Sequence, residues 1–74
     1  MTLFRIGDRV KVTNKRKWPH EPVGTVASGP VREVVNQNGA DRVYVVRFDK
    51  PEHDSSDDGP YIASEMFSHD LQYL

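Results

Sequence analysis

Short runs in which apolar and polar residues alternate recur along the chain. The first runs from Arg9 to Thr13 and places its β-branched side chains on one face, which is typical of a half-buried strand. The strongest run, 42–49, is rich in β-branched and aromatic residues and contains no glycine or proline, so we expect it at the centre of a sheet. The same pattern predicts strands at 23–27, 31–35 and 61–66, and a last segment, 71–74, that would close the sheet.

Loops and turns separate these runs. Asn14–Pro22, the basic loop, contains two prolines and no apolar periodicity, and Pro51–Pro60, the acidic loop, also contains two prolines. Gly24 inside a strand indicates a close backbone approach or a bulge. The remaining signals predict a break at Ser28-Gly29-Pro30, a hairpin turn at Asn38-Gly39 and one helical turn over 68–71 capped by Ser68.

No segment longer than about one turn carries a helical apolar stripe, and short strands at close spacing indicate an all-β fold. We therefore predict one domain over residues 1–74, a small five-stranded barrel with a short helical turn near the C-terminus. Its predicted core comprises Phe4, Ile6, Val10, Val12, Val26, Val34, Val43, Val45, Phe48, Ile62 and Leu71.

Composition limits how this core can be stabilised and where the protein works. The 74 residues include no cysteine, so neither disulfides nor a thiolate zinc site can support a core this small. No run of about 18 apolar residues is present, so we expect no membrane span. Met1–Arg5 lacks the long apolar stretch of a secretory signal, so we expect no export. The expected protein is soluble and cytoplasmic.

Charge is distributed unevenly, although the formal net charge is only −1. Residues 1–47 carry nine Lys or Arg against four Asp or Glu, and residues 48–74 carry one against seven. An acidic second half would repel nucleic acid wherever it lies close to the basic surface. Uniform nucleic-acid binding is therefore not indicated.

Four short motifs occur in order along nearly the whole chain. They are Phe4-x-x-Gly7-Asp8-Arg9-Val10-x-Val12, Gly24-Thr25-Val26, Val43-Tyr44-x-Val46-Arg47-Phe48-Asp49 and Asp70-Leu71-x-Tyr73-Leu74. This order resembles the SH3-like barrel at the end of the nitrile hydratase β subunit, and similar Gly-Asp-Arg-Val openings occur in KOW-type modules. The resemblance implies an SH3-like fold and an accessory role, because in that family the metal and its cysteine ligands belong to the other subunit.

The basic loop departs from that family. It is shorter and lacks the family's Arg-Gly approach to the second strand, so no metal-site arginine is transferred to this chain. A looser likeness exists to the plasmid-borne, trimethoprim-resistant type of dihydrofolate reductase, whose tetramer builds a central pore. The corresponding segment here, Gly59-Pro60-Tyr61-Ile62, lacks the residues that would hold nicotinamide and folate, so an oligomeric enzyme subunit is a remote alternative.

The strongest candidate binding residues are consecutive in the basic loop: Lys15, Arg16, Lys17 and Trp18. Three cations beside an indole suit a phosphate backbone and a stacked base, and Trp and Arg are also common anchors of protein interfaces. Alternatively, Trp18 folds back as a lid on the core and the cations are solvated. Tyr61, next to the acidic loop, would add aromatic surface.

Metal and catalytic patterns are weaker. Segment 54–65 fits a relaxed calcium-loop spacing, but a strand over 61–66 would carry Glu65 away from the loop, so calcium binding is kept only as an alternative. No serine lies in a nucleophile elbow. No zinc-ligand spacing links the three histidines, His20, His53 and His69. We expect no cofactor, no metal and no enzymatic activity.

The sequence therefore predicts a non-enzymatic interaction or accessory module that binds a protein partner through residues 14–22 and the nearby barrel surface. A KOW-like nucleic-acid-binding module is the main alternative. Nucleic-acid binding would weaken steeply with salt and with loss of the three cations. Protein docking would depend chiefly on Trp18.

Overall fold

All five strands belong to one antiparallel sheet in the computed structural model, which describes residues 3–37 and 39–74. The strands are β1 (Arg9–Val12), β2 (Val23–Asn36), β3 (Gly39–Glu52), β4 (Tyr61–Phe67) and β5 (Leu71–Tyr73), and a 3₁₀ helix, Ser68–Asp70, joins β4 to β5. The prediction of an all-β, five-stranded fold with one helical turn near the C-terminus is confirmed. The predicted hairpin turn at Asn38-Gly39 includes Asn38, which lies outside the described residues.

The strands follow the order β4-β3-β2-β1-β5 across the sheet. Consecutive strands from β1 to β4 are antiparallel neighbours, and β5 returns to pair with β1, which places Leu71 opposite Val12. Within residues 3–37 and 39–74, β4 and β5 do not pair with each other, so the expected closure into a barrel is not confirmed. β3 lies inside the sheet, but β2 and not β3 occupies the middle.

β2 is longer than the sequence predicts. Its fourteen residues continue through Ser28-Gly29-Pro30, where a break was expected. The register against β3 shifts between Val26 and Ser28 and again between Ser28 and Arg32, and such irregularities bend a strand without ending it. The predicted strands 23–27 and 31–35 are therefore one bent strand.

The core is built by side chains from every strand and from two loop segments. Its members are Phe4, Val10, Val12, Trp18, Val26, Tyr44, Val46, Phe48, Met66 and Leu71. Most of the predicted core is buried, including Val43, but Ile6 is 69% exposed and Ile62 is 64% exposed, so these two predictions are wrong. Val34 and Val45 are half-buried.

The two faces of β3 explain why the sequence pattern did not identify Tyr44 and Val46 as core residues. Segment 43–46 is apolar at every position, so alternation does not indicate which face meets the core. Tyr44, Val46 and Phe48 form the core face. Val43 is buried outside that cluster, on the face where Arg32 of β2 forms an ion pair with Glu65 of β4 across β3.

Gly24 makes the predicted close backbone approach. A Cβ atom at this position would lie 2.4 Å from the carbonyl oxygen of Arg47 and 2.8 Å from Cγ1 of Val46. Interiors packed at crystal-like density leave no room for such an atom. Glycine therefore lets β2 lie directly against β3, where Gly24 pairs with Phe48.

The overall dimensions are those of a small folded unit. The Cα atoms have a radius of gyration of 11.7 Å, close to the ~11 Å expected for a compact domain of this length. No helix within the described part of the chain has the length and apolar character needed to cross a membrane.

Candidate functional site

The basic loop is an ordered turn that leaves β1 and returns to β2. The carbonyl oxygen of Asn14 accepts a hydrogen bond from the Trp18 amide at 2.8 Å, and its side-chain oxygen accepts one from the Lys17 amide at 3.3 Å. Asparagine favours such local bonds to the backbone. At the base of the loop, the Val12 amide donates to the Pro22 carbonyl at 2.9 Å. The loop is therefore held at both its tip and its base.

Trp18 is a core residue and only 2% exposed. Its ring centroid lies 5.1 Å from that of Phe48 and 5.6 Å from that of Tyr61. The large apolar area of an indole favours this packing even though three cations precede it. The prediction that Trp18 presents an exposed face to a partner is wrong, and the alternative of a lid on the core describes its position.

The acidic loop lies against the basic loop. The amide of Ser55 donates a hydrogen bond to the carbonyl oxygen of Lys17 at 2.7 Å. Within the acidic loop, the carboxylate of Asp54 accepts hydrogen bonds from two backbone amides of its own loop at 2.9 and 3.0 Å. The two loops of opposite charge therefore meet within a single chain.

Tyr61 joins this surface from the start of β4. Its half-buried ring meets Trp18 edge to face, with an interplanar angle of 74°, and its hydroxyl donates a hydrogen bond to Asp58. That hydrogen bond is the main reason that the pKa of Tyr61 is raised, and burial together with the charges of Asp58 and Asp54 adds to the effect. Tyr61 thus links the acidic loop to the Trp18 side chain.

The three cations of the basic loop, Lys15, Arg16 and Lys17, are exposed. The Lys15 Nζ atom lies 3.7 Å from Glu21, and the Nζ atom of Lys11 approaches the same carboxylate at 3.9 Å. The structure therefore brings all five sequence-predicted binding residues into one region, with the cations outside and the indole inside.

A groove of about 450 Å³ lies beside the basic loop. Residues 20–22 line it from the loop and Val23 from the start of β2. Asp49, Lys50 and Glu52 line it from the end of β3. The Asp49 carboxylate is bound by both terminal nitrogens of Arg9, at 2.6 and 2.5 Å, and these hydrogen bonds are the main cause of its lowered pKa. No local pattern links the loop to the end of β3, so the groove has no signal in the sequence.

Asp54 and Glu65, the first and last residues of the calcium-loop spacing, do not come together in the structure. Glu65 lies on β4 and pairs with Arg32, whereas Asp54 binds amides of its own loop. Within the part of the chain that the structure describes, no three His, Cys, Asp or Glu side chains form a group that could hold a metal ion. Asp54 and Glu65 thus each have partners within the fold.

A second polar cluster, without a signal in the sequence, surrounds Asp41 on β3. Ser68 donates its hydroxyl to one carboxylate oxygen, and the other oxygen meets Nδ1 of His69. Burial acts to raise the pKa of Asp41. The hydrogen bonds from Ser68, His69 and the Arg42 amide act in the opposite direction and together outweigh burial, so the pKa is lowered overall.

This cluster attaches the 3₁₀ helix to β3. Ser68 and His69 bind different oxygens of Asp41, so the hydroxyl is not paired with the imidazole as a nucleophile would be with its base. The predicted helix cap by Ser68 is wrong, because Phe67 holds the cap position and no side chain caps the helix. The Ser68 hydroxyl serves Asp41 instead.

Comparison with known proteins leaves the geometry of these sites as the basis for inferring function. No protein-family model matches the chain. No curated protein and no solved structure matches it either.

Proposed function

We propose that this chain is a non-enzymatic, SH3-like interaction module that binds a protein partner with the basic loop and the adjoining groove. The observation that carries this proposal is a buried anchor beneath exposed charges. Trp18 is 2% exposed, while the three preceding cations all lie at the surface. A loop that is ordered before binding loses less conformational entropy when a partner arrives.

The position of the acidic loop favours a protein partner over nucleic acid. The hydrogen bond between Ser55 and Lys17 places a segment containing three aspartates beside the cations. A phosphate backbone would be repelled by these carboxylates, and the buried indole offers no face on which a base can stack. A protein segment that carries both charge signs suits this mixed surface better.

The strand order supports the SH3-like part of the proposal. Four consecutive strands follow one another across the sheet, and the last strand returns to pair with the first after a 3₁₀ helix. An accessory role, such as the resemblance to the nitrile hydratase β subunit implies, needs no catalytic group on this chain. The groove and the cations provide its contact surface.

The test is affinity capture from cells that produce the protein, with nuclease added to remove nucleic acid. Arg16→Ala/Lys17→Ala removes two exposed cations from the basic loop. Arg5→Ala/Arg47→Ala is the matched control, because it removes two exposed cations that lie outside both the loop and the groove lining. Lys15 is left in place because its loss would also remove an ion pair with Glu21.

We expect the wild type and the control to capture the same protein in similar amounts. The loop variant should capture at least tenfold less of it. Retention of that protein by all three chains would place the binding surface elsewhere. Material that disappears with nuclease treatment would favour the KOW-like alternative. Thermal melting of each variant checks that the fold is unchanged.

A further inference from the structure

β4 is an open edge of the sheet. Within the described residues it pairs only with β3, and it stands last in the strand order. Its seven residues, Tyr61–Phe67, span about 23 Å at ~3.3 Å per residue. The other edge strand, β5, has only three residues. β4 is therefore the longer of the two edges that could accept another strand.

This edge strand lacks two residues that often protect edge strands. Lysine and proline are common protective residues, and β4 contains neither. Its one charged side chain, Glu65, is bound by Arg32 across β3, which draws the carboxylate toward the chain's own sheet. Ile62, in contrast, is 64% exposed on this strand. These features are expected of a strand that is paired in its working state.

We propose that β4 pairs antiparallel with β4 of a second copy of this chain, with Ser64 facing Ser64 across a twofold axis. Such an interface uses the same surface on both copies, which is the usual arrangement in homodimers. It would join the two sheets into one of ten strands. The pairs across the axis are then Ile62 with Met66, Ala63 with Glu65, and Tyr61 with Phe67.

The sequence of β4 is self-complementary in this register. Ile62 would cover the partner's Met66, which closes the β4 side of the core. The small side chain of Ala63 leaves room for Glu65 and its Arg32 partner. A register centred on Glu65 would instead place two carboxylates directly opposite each other, which destabilises a strand pair. Charge and size therefore favour a second copy in the Ser64-centred register.

The first test is the mass in solution as the concentration is raised. One chain has a mass of 8.5 kDa, and we expect the wild type to approach twice that value. A wild type that stays monomeric at roughly 1 mM, where even weak specific complexes form, would overturn the proposal. This result would leave the basic-loop proposal untouched, because the three cations and the groove lining lie outside β4.

Two substitutions at one position test the register. Ala63→Glu would face Glu65 of the second copy twice in each dimer, so the dissociation constant should rise by at least tenfold. Ala63→Lys would face the same carboxylate with opposite charge and should keep or tighten the dimer. Equal effects of the two variants would contradict the proposed pairing.

A second pair of variants separates the β4 edge from exposed apolar surface in general. Ile62→Lys places a charge on the edge and should give a monomer, whereas Val35→Lys changes a side chain that is 77% exposed on β2 and should stay dimeric. Melting temperatures confirm that both variants fold. Loss of the dimer in Val35→Lys alone would assign the interface to the part of β2 around Val35 and overturn the proposal.

Discussion

The two ends of the core face of β3 are covered in different ways. At one end, Phe48 packs against Trp18, and two loops of opposite charge close over them. At the other end, Tyr44 packs against Phe4, whose ring also contacts Tyr73 at 4.8 Å. The N-terminal segment and β5 supply these aromatic rings, and the apolar side chains of Leu3 and Ile6 near Phe4 remain exposed.

The difference shows that burial depends on position relative to the sheet more than on local sequence. Trp18 follows three cations and is buried, whereas Leu3 and Ile6 flank a core residue and are 58% and 69% exposed. The loop end therefore presents charge on a fixed backbone. The Phe4 end presents apolar surface around a covered aromatic cluster.

Removing the anchor of the loop end should have the largest effect. Trp18→Ala deletes a fully buried indole and should cost about 3–5 kcal/mol of unfolding free energy. Arg16→Ala, two residues away, changes an exposed side chain and should stay within about 0.5 kcal/mol of wild type. Urea denaturation measures both. If Trp18→Ala does not fold, Trp18→Phe should give a measurable intermediate loss; equal stability of Trp18→Ala and wild type would contradict a buried anchor.

A smaller loss is expected where β2 passes Phe48 at the same end. Gly24→Ala places a Cβ atom 2.4 Å from the Arg47 carbonyl oxygen, and overpacking of this kind costs about 1–3 kcal/mol. The loss should appear in urea denaturation with an unchanged slope. Gly24→Ser, which carries the same Cβ, should be at least as unstable. An Ala variant as stable as wild type would show that the strands separate without cost.

Acid should reveal the Asp41 cluster, which lies nearer the Tyr44 end of β3. The pKa of Asp41 is lower in the folded chain than in the unfolded chain, so its stabilising effect is present above about pH 4 and is lost as the pH falls through the folded value. Asp41→Asn should therefore be less stable than wild type at neutral pH, by about 1–3 kcal/mol. The two chains should converge as the pH falls below the folded pKa of Asp41. A gap that does not change with pH would contradict the hydrogen bonds assigned to the ionised Asp41 carboxylate.

The smallest effect is expected from the exposed apolar residues of the Phe4 end. Ile6→Ser should change the unfolding free energy by no more than about 0.5 kcal/mol. Val10→Ser, a core position in β1 that is 0% exposed, is the comparison and should be strongly destabilised. A large loss in Ile6→Ser would show that this side chain is covered in solution, which would remove the contrast between the two ends.

The strands were predictable because alternation and turn residues are local signals. Segments 9–13, 42–49 and 61–66 each correspond to one strand. The continuation of β2 through Ser28-Gly29-Pro30 was not predictable, because the register shifts that permit it are set by pairing with β3. The faces of Tyr44 and Val46 were also hidden, since their neighbours are equally apolar.

The candidate site was predictable only in part. The cations stand out in the sequence, but the packing of Trp18 against Phe48 and Tyr61 joins residues from three separate segments. The Asp41 cluster depends on contacts between side chains that are 27 and 28 positions apart. Such contacts follow from the sheet topology and leave no periodic trace in the chain.

The burial of Trp18 can be tested through its intrinsic fluorescence, because it is the single tryptophan of the chain. A buried indole should emit at shorter wavelength in the native protein than in urea, and iodide should quench it several-fold less in the native state. The same spectrum should be found for Arg16→Ala/Lys17→Ala, because the anchor does not depend on the cations. Native emission that matches the unfolded chain and is quenched as readily would contradict a buried Trp18, and with it the ordered basic loop.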